Sequence, residues 1–214
     1  MTRKITIFGI LFLLVIGQVA CGPRGEEKLV LNAFENYKTA ILNNEGGDAI
    51  KFIDSRTIKY YSDMLELVKT ADSKQIETLS ILDKMMVLII RHRCSKEEIL
   101  NFNGKSLVIY AIESGMIGKN SVTNLSIGSI VVDKNFAKGQ VVSSGQKMPL
   151  YMHFYKEDNQ WKIDLTSLFL ISNLALKKMA DESGMNQNEY IFSLLEIISG
   201  KKPSGEILKP IMEK

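Results

Sequence analysis

Histidine, cysteine and clustered charge are scarce in this chain, and each scarcity removes a class of function. Among 214 residues there are two histidines and two cysteines. His92 and His153 lie far apart, with no acidic cluster beside either, so the ligand spacing of a protein metal site is missing. No glycine-rich phosphate loop, nucleophile elbow or Ser-x-x-Lys motif occurs, and no cofactor is expected. No block of like charge is present, which argues against a nucleic-acid partner. No apolar run reaches the ~20 residues that a membrane-spanning helix needs. There is no internal repeat and no low-complexity tract.

The amino terminus is where the sequence is most specific. Arg3 and Lys4 supply two cations without an anion, residues 5–17 are almost wholly apolar, and Val19-Ala20-Cys21-Gly22 follows directly. That is the layout of a secretory signal: a basic start, a short apolar run and small residues at the cut. A cysteine placed straight after the small residues resembles the lipobox of bacterial lipoproteins, with Gln18 where that motif usually has leucine. The resemblance implies a diacylglyceryl group on the thiol of Cys21, the membrane as partner through that lipid, and residence in the cell envelope outside the cytoplasmic membrane.

Removing residues 1–20 leaves 194 residues (214 − 20), enough for one domain with a sizeable core. The formal charge of +3 then falls to +1, because Arg3 and Lys4 go with the signal and leave 25 cations against 24 anions. With Cys21 acylated, Cys94 has no partner. The reading of Cys94 is a buried thiol acting as a small apolar side chain, although Arg91 and Arg93 stand close in sequence.

Residues 21–27 read as a tether, with Pro23 and two glycines between Cys21 and Gly25. A helical period starts near Glu26, where Val30, Phe34, Tyr37 and Ile41 make one apolar stripe. Gly46-Gly47 should end that helix and Asp48 cap the next. The following segment carries Ile53, Thr57, Tyr61, Met64 and Val68 on one side, as one helix or as two broken near Asp54-Ser55. Ser73 is placed to cap a third helix reaching Arg93, apolar all round at residues 85–90 and hence central. Ser95 and Glu98 have capping-box spacing. A piece over residues 106–113 should stop at Gly115.

Residues 122–132 are rich in β-branched side chains. Turns at 133–135, 145–146 and 158–159 separate them from strands over 136–144, 147–157 and 160–165, an antiparallel meander. Pro149 cannot donate to a ladder and belongs at a strand start, bulge or edge. Helices return over 168–180 and 188–199, and Gly200 and Pro203 then break the chain, with loosely held residues expected beyond. Most of the ten methionines sit at core spacing.

Helices followed by a meander give an α+β domain over residues 28–170, with N-terminal helices on a four-stranded antiparallel sheet and a helical C-terminal extension over 171–214. The element order, the opening helix with Phe34, Tyr37, Ala40 and Ile41, and the hairpin from Phe154 to Leu165 containing Trp161-Lys162-Ile163 resemble the NTF2-like (cystatin-like) superfamily. That resemblance implies a curved sheet closing a cone. Its members include isomerases, hydratases and transport factors, so it fixes no activity.

With Asp158-Asn159 at the tip, strand alternation puts Met152, Phe154, Trp161, Ile163 and Leu165 on one face. Tyr151, His153, Tyr155, Lys162 and Asp164 take the other, with His153 opposite Asp164. The first face reads as core or cone lining and Trp161 as buried. The second offers a histidine–carboxylate pair, the candidate dyad, set against an ordinary cross-strand polar contact. The tyrosines at 110, 151 and 155 and the acid Glu113 are the remaining candidates for the buried tyrosine–acid pair found in isomerases of the superfamily. The expectation is a non-catalytic lipoprotein that binds a small apolar ligand or an envelope protein through the cone. The alternatives are an isomerase- or hydratase-like enzyme and an interaction module whose interior is filled.

Overall fold

A computed structural model describes residues 25–213, and its architecture is α+β. Helix α1 (Gly25–Asn43) buries the expected stripe, with Val30, Phe34 and Ile41 fully sealed. It starts within the stretch read as tether. Asn44, not a glycine, takes the left-handed conformation that ends it, at φ 59°. A short α2 (Gly46–Ala49) follows, capped at Glu45 without a side-chain bond, so Asp48 is no cap and instead pairs with Lys51. The break left open by the sequence falls at Asp54. Its buried carboxylate accepts from the Thr57 amide at 2.9 Å and opens α3 (Ser55–Thr70). Thr57, Tyr61, Met64, Leu65 and Val68 form the buried face of α3.

The third expected helix is two helices. Asp72, not Ser73, caps α4 (Ser73–Thr78) in a complete capping box with Gln75. Leu79 is extended (ψ 156°), and the Ser80 hydroxyl accepts from the Asp83 amide to start α5 (Ile81–Arg93). A serine that can satisfy free amide donors makes a second start cheap, which the unbroken apolar periodicity concealed. Ser95 and Glu98 form the expected box on α6 (Lys96–Asn101). Asn103 caps α7 (Gly104–Glu113), two residues earlier than the sequence reading, and Gly115 (φ 72°) ends it.

Strands β1 (Leu125–Asp133), β2 (Phe136–Ser143), β3 (Gln146–Glu157) and β4 (Gln160–Asp164) form one antiparallel sheet in chain order. The first strand starts later than expected, because Val122 lies in a turn. Two-residue turns join the strands, and Ser144-Gly145 and Asp158-Asn159 hold positive φ at both positions, the geometry that matches strand twist. Pro149 lies where the β2–β3 register jumps between Gln140 and Val142, a bulge position. Helices α8 (Phe169–Ser183) and α9 (Gln187–Ser199) close the chain, each stopped by a left-handed glycine, Gly184 and Gly200.

The sheet lays its inner face on the helices. Ile127, Ala137, Val141, Met152, Phe154, Trp161 and Ile163 are buried there beside Val30, Phe34 and Ile41. Gly139 leaves room for Ile127 and Phe154, since a Cβ at that position would collide with the Ile127 side chain. Polar links fix the remaining layers. The Ile163 carbonyl accepts from the Asp54 amide (3.0 Å), and the Leu165 amide donates to Thr57 Oγ1 (3.0 Å), joining β4 to α3. Buried Lys84 on α5 pairs with Glu77 on α4 (2.8 Å), and Asn188 on α9 donates to the same carboxylate. The hydrogen bonds from Lys84 and then Asn188 hold the Glu77 carboxyl below its ordinary range.

The residues after Gly200 are packed, contrary to expectation. Ile207 and Ile211 are buried, and Arg91 ties the tail to the end of α3. Its guanidinium, itself buried, donates to the carbonyls of Leu67, Val68 and Ala71 at the end of α3 and to the Ile207 carbonyl of the tail. Cationic donors at a helix C-terminus answer both the unpaired carbonyls and the negative end of the dipole. Burial draws the Arg91 pKa down to about 10, which leaves it charged at neutral pH.

Candidate functional site

The hairpin register is as expected: His153 pairs with Asp164, Phe154 with Ile163 and Tyr155 with Lys162. Met152, Phe154, Trp161 and Ile163 share the buried face, and Tyr151 is exposed on the other. Leu165 departs from this, because the strand ends at Asp164 and Leu165 begins a 3-10 turn. That turn also disposes of the dyad. The Asp164 carboxylate is buried and accepts from the Thr166 amide and hydroxyl, capping the turn. No hydrogen bond joins it to the His153 ring among the described residues. The ring instead meets Phe136 edge-on at 5.2 Å, and the His153 amide donates to Ser167 Oγ. Backbone adjacency brought the two residues together, and a local cap took the carboxylate first.

The inner sheet face is filled around Phe154 and Ile163. Phe154 and Ile163 have no accessible surface, so no space large enough for a water molecule adjoins them. Trp161 is buried as expected, and its indole Nε1 donates to Glu26 at 2.6 Å, where Lys156 also donates. These two hydrogen bonds hold the Glu26 carboxyl below its ordinary value. The other candidates are dispersed. Tyr155 lies under the Arg56 guanidinium at 3.4 Å, Tyr151 faces solvent, Glu113 is exposed, and Tyr110 packs on Phe102. Cys94 is buried, and burial, with the Glu98 charge, pushes its thiol up to about 11, which keeps it protonated at neutral pH.

One pair escaped the sequence reading: His92 Nε2 lies 2.8 Å from Ser199 Oγ. Their separation of 107 residues left no signal. Proton accounting decides its chemistry. The Ser199 hydroxyl is 2.6 Å from the Leu195 carbonyl and 3.0 Å from the Lys201 carbonyl, and it accepts from the Lys201 amide. Its single proton is contested by two carbonyls as well as by the His92 ring, so the hydroxyl is engaged on every side. The pair fastens the end of α9 to α5.

Open space lies beside the β3–β4 hairpin, where a cleft of about 390 Å³ is walled by Trp161, Ala33, Phe52 and Leu29, and in the helical half. A cleft of about 660 Å³ runs between α9 and the tail, with Glu189, Glu196 and Lys202 among apolar neighbours. A smaller, nearly apolar cavity of about 160 Å³ lies between α3, α5, α7 and α9. Tyr61, Ile89, Ile90, Leu107 and Ala111 are the buried part of its wall, and Met85, Met86, Met116 and Ile117 the partly exposed part. Half-exposed Ile198 stands at the opening. The sequence held the signal as the methionine pair on an apolar helix, but assigned it to core filling. Met64 and Met152 are buried and Met85, Met86, Met116 and Met148 pack against the core, as expected, while Met179, Met185 and Met212 face solvent. Among the described residues no group of three or more histidine, cysteine, aspartate or glutamate side chains is arranged to hold a metal ion, and no helix is long and apolar enough to cross a membrane. Cys21 lies outside the described residues. Compared with protein-family models, with curated proteins and with solved structures, the chain matches none.

Proposed function

We propose that this protein is a non-catalytic lipoprotein of the bacterial cell envelope, anchored by acyl groups on Cys21, whose NTF2-like body binds a small apolar ligand or a protein partner. The observation that carries the reading is the basic start, short apolar run and small-residue cut ending on Cys21. Helix α1 begins at Gly25, so the chain from Cys21 to that helix spans at most about 14 Å. Such a short link holds the start of α1 close to the bilayer surface. The binding reading is supported by where the chemical groups are spent. Asp164 caps a turn, His92 is hydrogen-bonded to a Ser199 hydroxyl that backbone groups also hold, and Cys94 is a buried thiol. Catalysis needs an acid or base free to act in a sheltered pocket. The inner sheet face is filled around Phe154 and Ile163, and the nearly apolar cavity between α3, α5, α7 and α9 supports the helical half as the ligand surface.

Metabolic labelling with a fatty acid tests the anchor. Wild type should carry label and fractionate with membranes, and Cys21→Ala should lose both. An unlabelled, soluble secreted product from both proteins would overturn the reading.

A further inference from the structure

The cavity between α3, α5, α7 and α9 has the size and lining of a binding site for one small apolar group. Its volume of about 160 Å³ matches a class of protein cavity, ~150 Å³ and lined by aliphatic and aromatic side chains, that stays dry and takes up benzene. A pocket for a whole drug-sized molecule is larger, ~300 Å³ or more. The three methionines at its edge have long unbranched side chains that adjust to differing guests.

The lining contains one hydroxyl, that of Tyr61, whose residue is 5% exposed. No protein group hydrogen-bonds to this hydroxyl among the described residues. Among the described residues the sealed polar atoms without partners are Ser114 Oγ and Asn188 Oδ1, so the Tyr61 hydroxyl is not fully sealed, and Tyr61 forms part of the cavity wall. Burial raises its pKa to about 12, which keeps the proton in place for donation. A buried phenol normally finds a partner, and a guest held against the Tyr61 side of the cavity would supply one.

We propose that this cavity binds one benzene-sized apolar group, a ring or the end of a hydrocarbon chain, with the Tyr61 hydroxyl donating to an acceptor atom on that group. The assignment rests on the reading of the protein as a non-catalytic binder and is independent of the anchor. It moves the ligand from the sheet face to the helical half.

The test uses the full chain in lipid nanodiscs, with ¹³C-methyl methionine as reporter. Toluene is supplied as vapour, so that its free concentration is fixed whatever dissolves in the lipid. Saturable shifts should appear at Met85, Met86 and Met116, while Met64 and Met152, buried elsewhere, stay in place. Ala111→Leu, which fills the cavity, and Ile198→Trp, which covers its opening from a half-exposed position, should each weaken toluene binding at least tenfold. No shift at saturating vapour, equal shifts at all five methionines, or unchanged binding in both variants would overturn the site. Tyr61→Phe should weaken benzonitrile at least threefold and leave toluene unaltered; equal benzonitrile affinity would remove Tyr61 from the proposal. A negative toluene result beside normal labelling of Cys21 would remove this site and leave the anchor standing.

Discussion

Single side chains in this protein do two jobs at once, and Trp161 is the clearest case. Its ring fills the inner face of β4, and its Nε1 reaches the first turn of α1 through Glu26. The two contributions separate by substitution. Trp161→Ala should cost about 3–5 kcal/mol of unfolding free energy, from lost burial and the cavity left behind. Trp161→Phe keeps most of the ring, and Glu26 keeps Lys156, so the cost of the lost hydrogen bond should be about 1 kcal/mol. Urea denaturation of the pair checks this, and equal losses would mean that the hydrogen bond, not the ring, dominates. Arg91 works in the same double way, since one guanidinium closes the end of α3 and holds the tail.

Between elements, close approach depends on two glycines. An added Cβ at Gly104, the first residue of α7, would collide with Ser62 and lie 2.6 Å from the Ile58 carbonyl of α3. At Gly46 it would lie 2.5 Å from the Ile109 carbonyl of α7. These are backbone contacts that no rotamer relieves, so α7 sits against both neighbours only because the side chains are missing. Gly104→Ala should therefore destabilise by about 2 kcal/mol or more, despite alanine's higher helix propensity. Gly47→Ala, whose Cβ meets nothing within 4 Å, should be neutral or stabilising by up to ~1 kcal/mol. Thermal melts of the two variants side by side decide the matter, and matched behaviour would refute the packing argument.

For the molecule as a whole, the C-terminal helices and tail belong to the fold. Helix α8 lends the Asn173 carboxamide oxygen to the free Leu82 amide at the start of α5, and α9 joins the Lys84–Glu77 pair through Asn188. Deleting residues 204–214 would uncover the sites of Ile207 and Ile211 and strip Arg91 of one acceptor. Burying each isoleucine contributes about 1.5–3 kcal/mol, so the truncated chain should lose about 3 kcal/mol or more. Chemical denaturation reads that loss, and an unchanged midpoint would show the tail to be an appendage.

Much of this was legible in the sequence because it follows from local rules. The 3.6-residue stripe of α1, the capping box at Ser95, the stop at Gly115 and the hairpin tip at Asp158-Asn159 depend on neighbours in the chain. Strand alternation likewise sorted Phe154, Trp161 and Ile163 from Tyr151 and Tyr155 without any tertiary information. Where two local solutions compete, periodicity alone could not choose, and Ser80 split one expected helix into two. Contacts between distant segments were out of reach altogether. Whether Asp164 meets His153 or Thr166, that Ser199 finds His92, and that Arg91 holds the tail depend on which backbone groups lack partners once the layers close. Local periodicity and turn chemistry determined the elements and the faces they bury. Tertiary packing alone decided which polar groups are consumed and where apolar space remains, because those are properties of the closed interior and not of any segment.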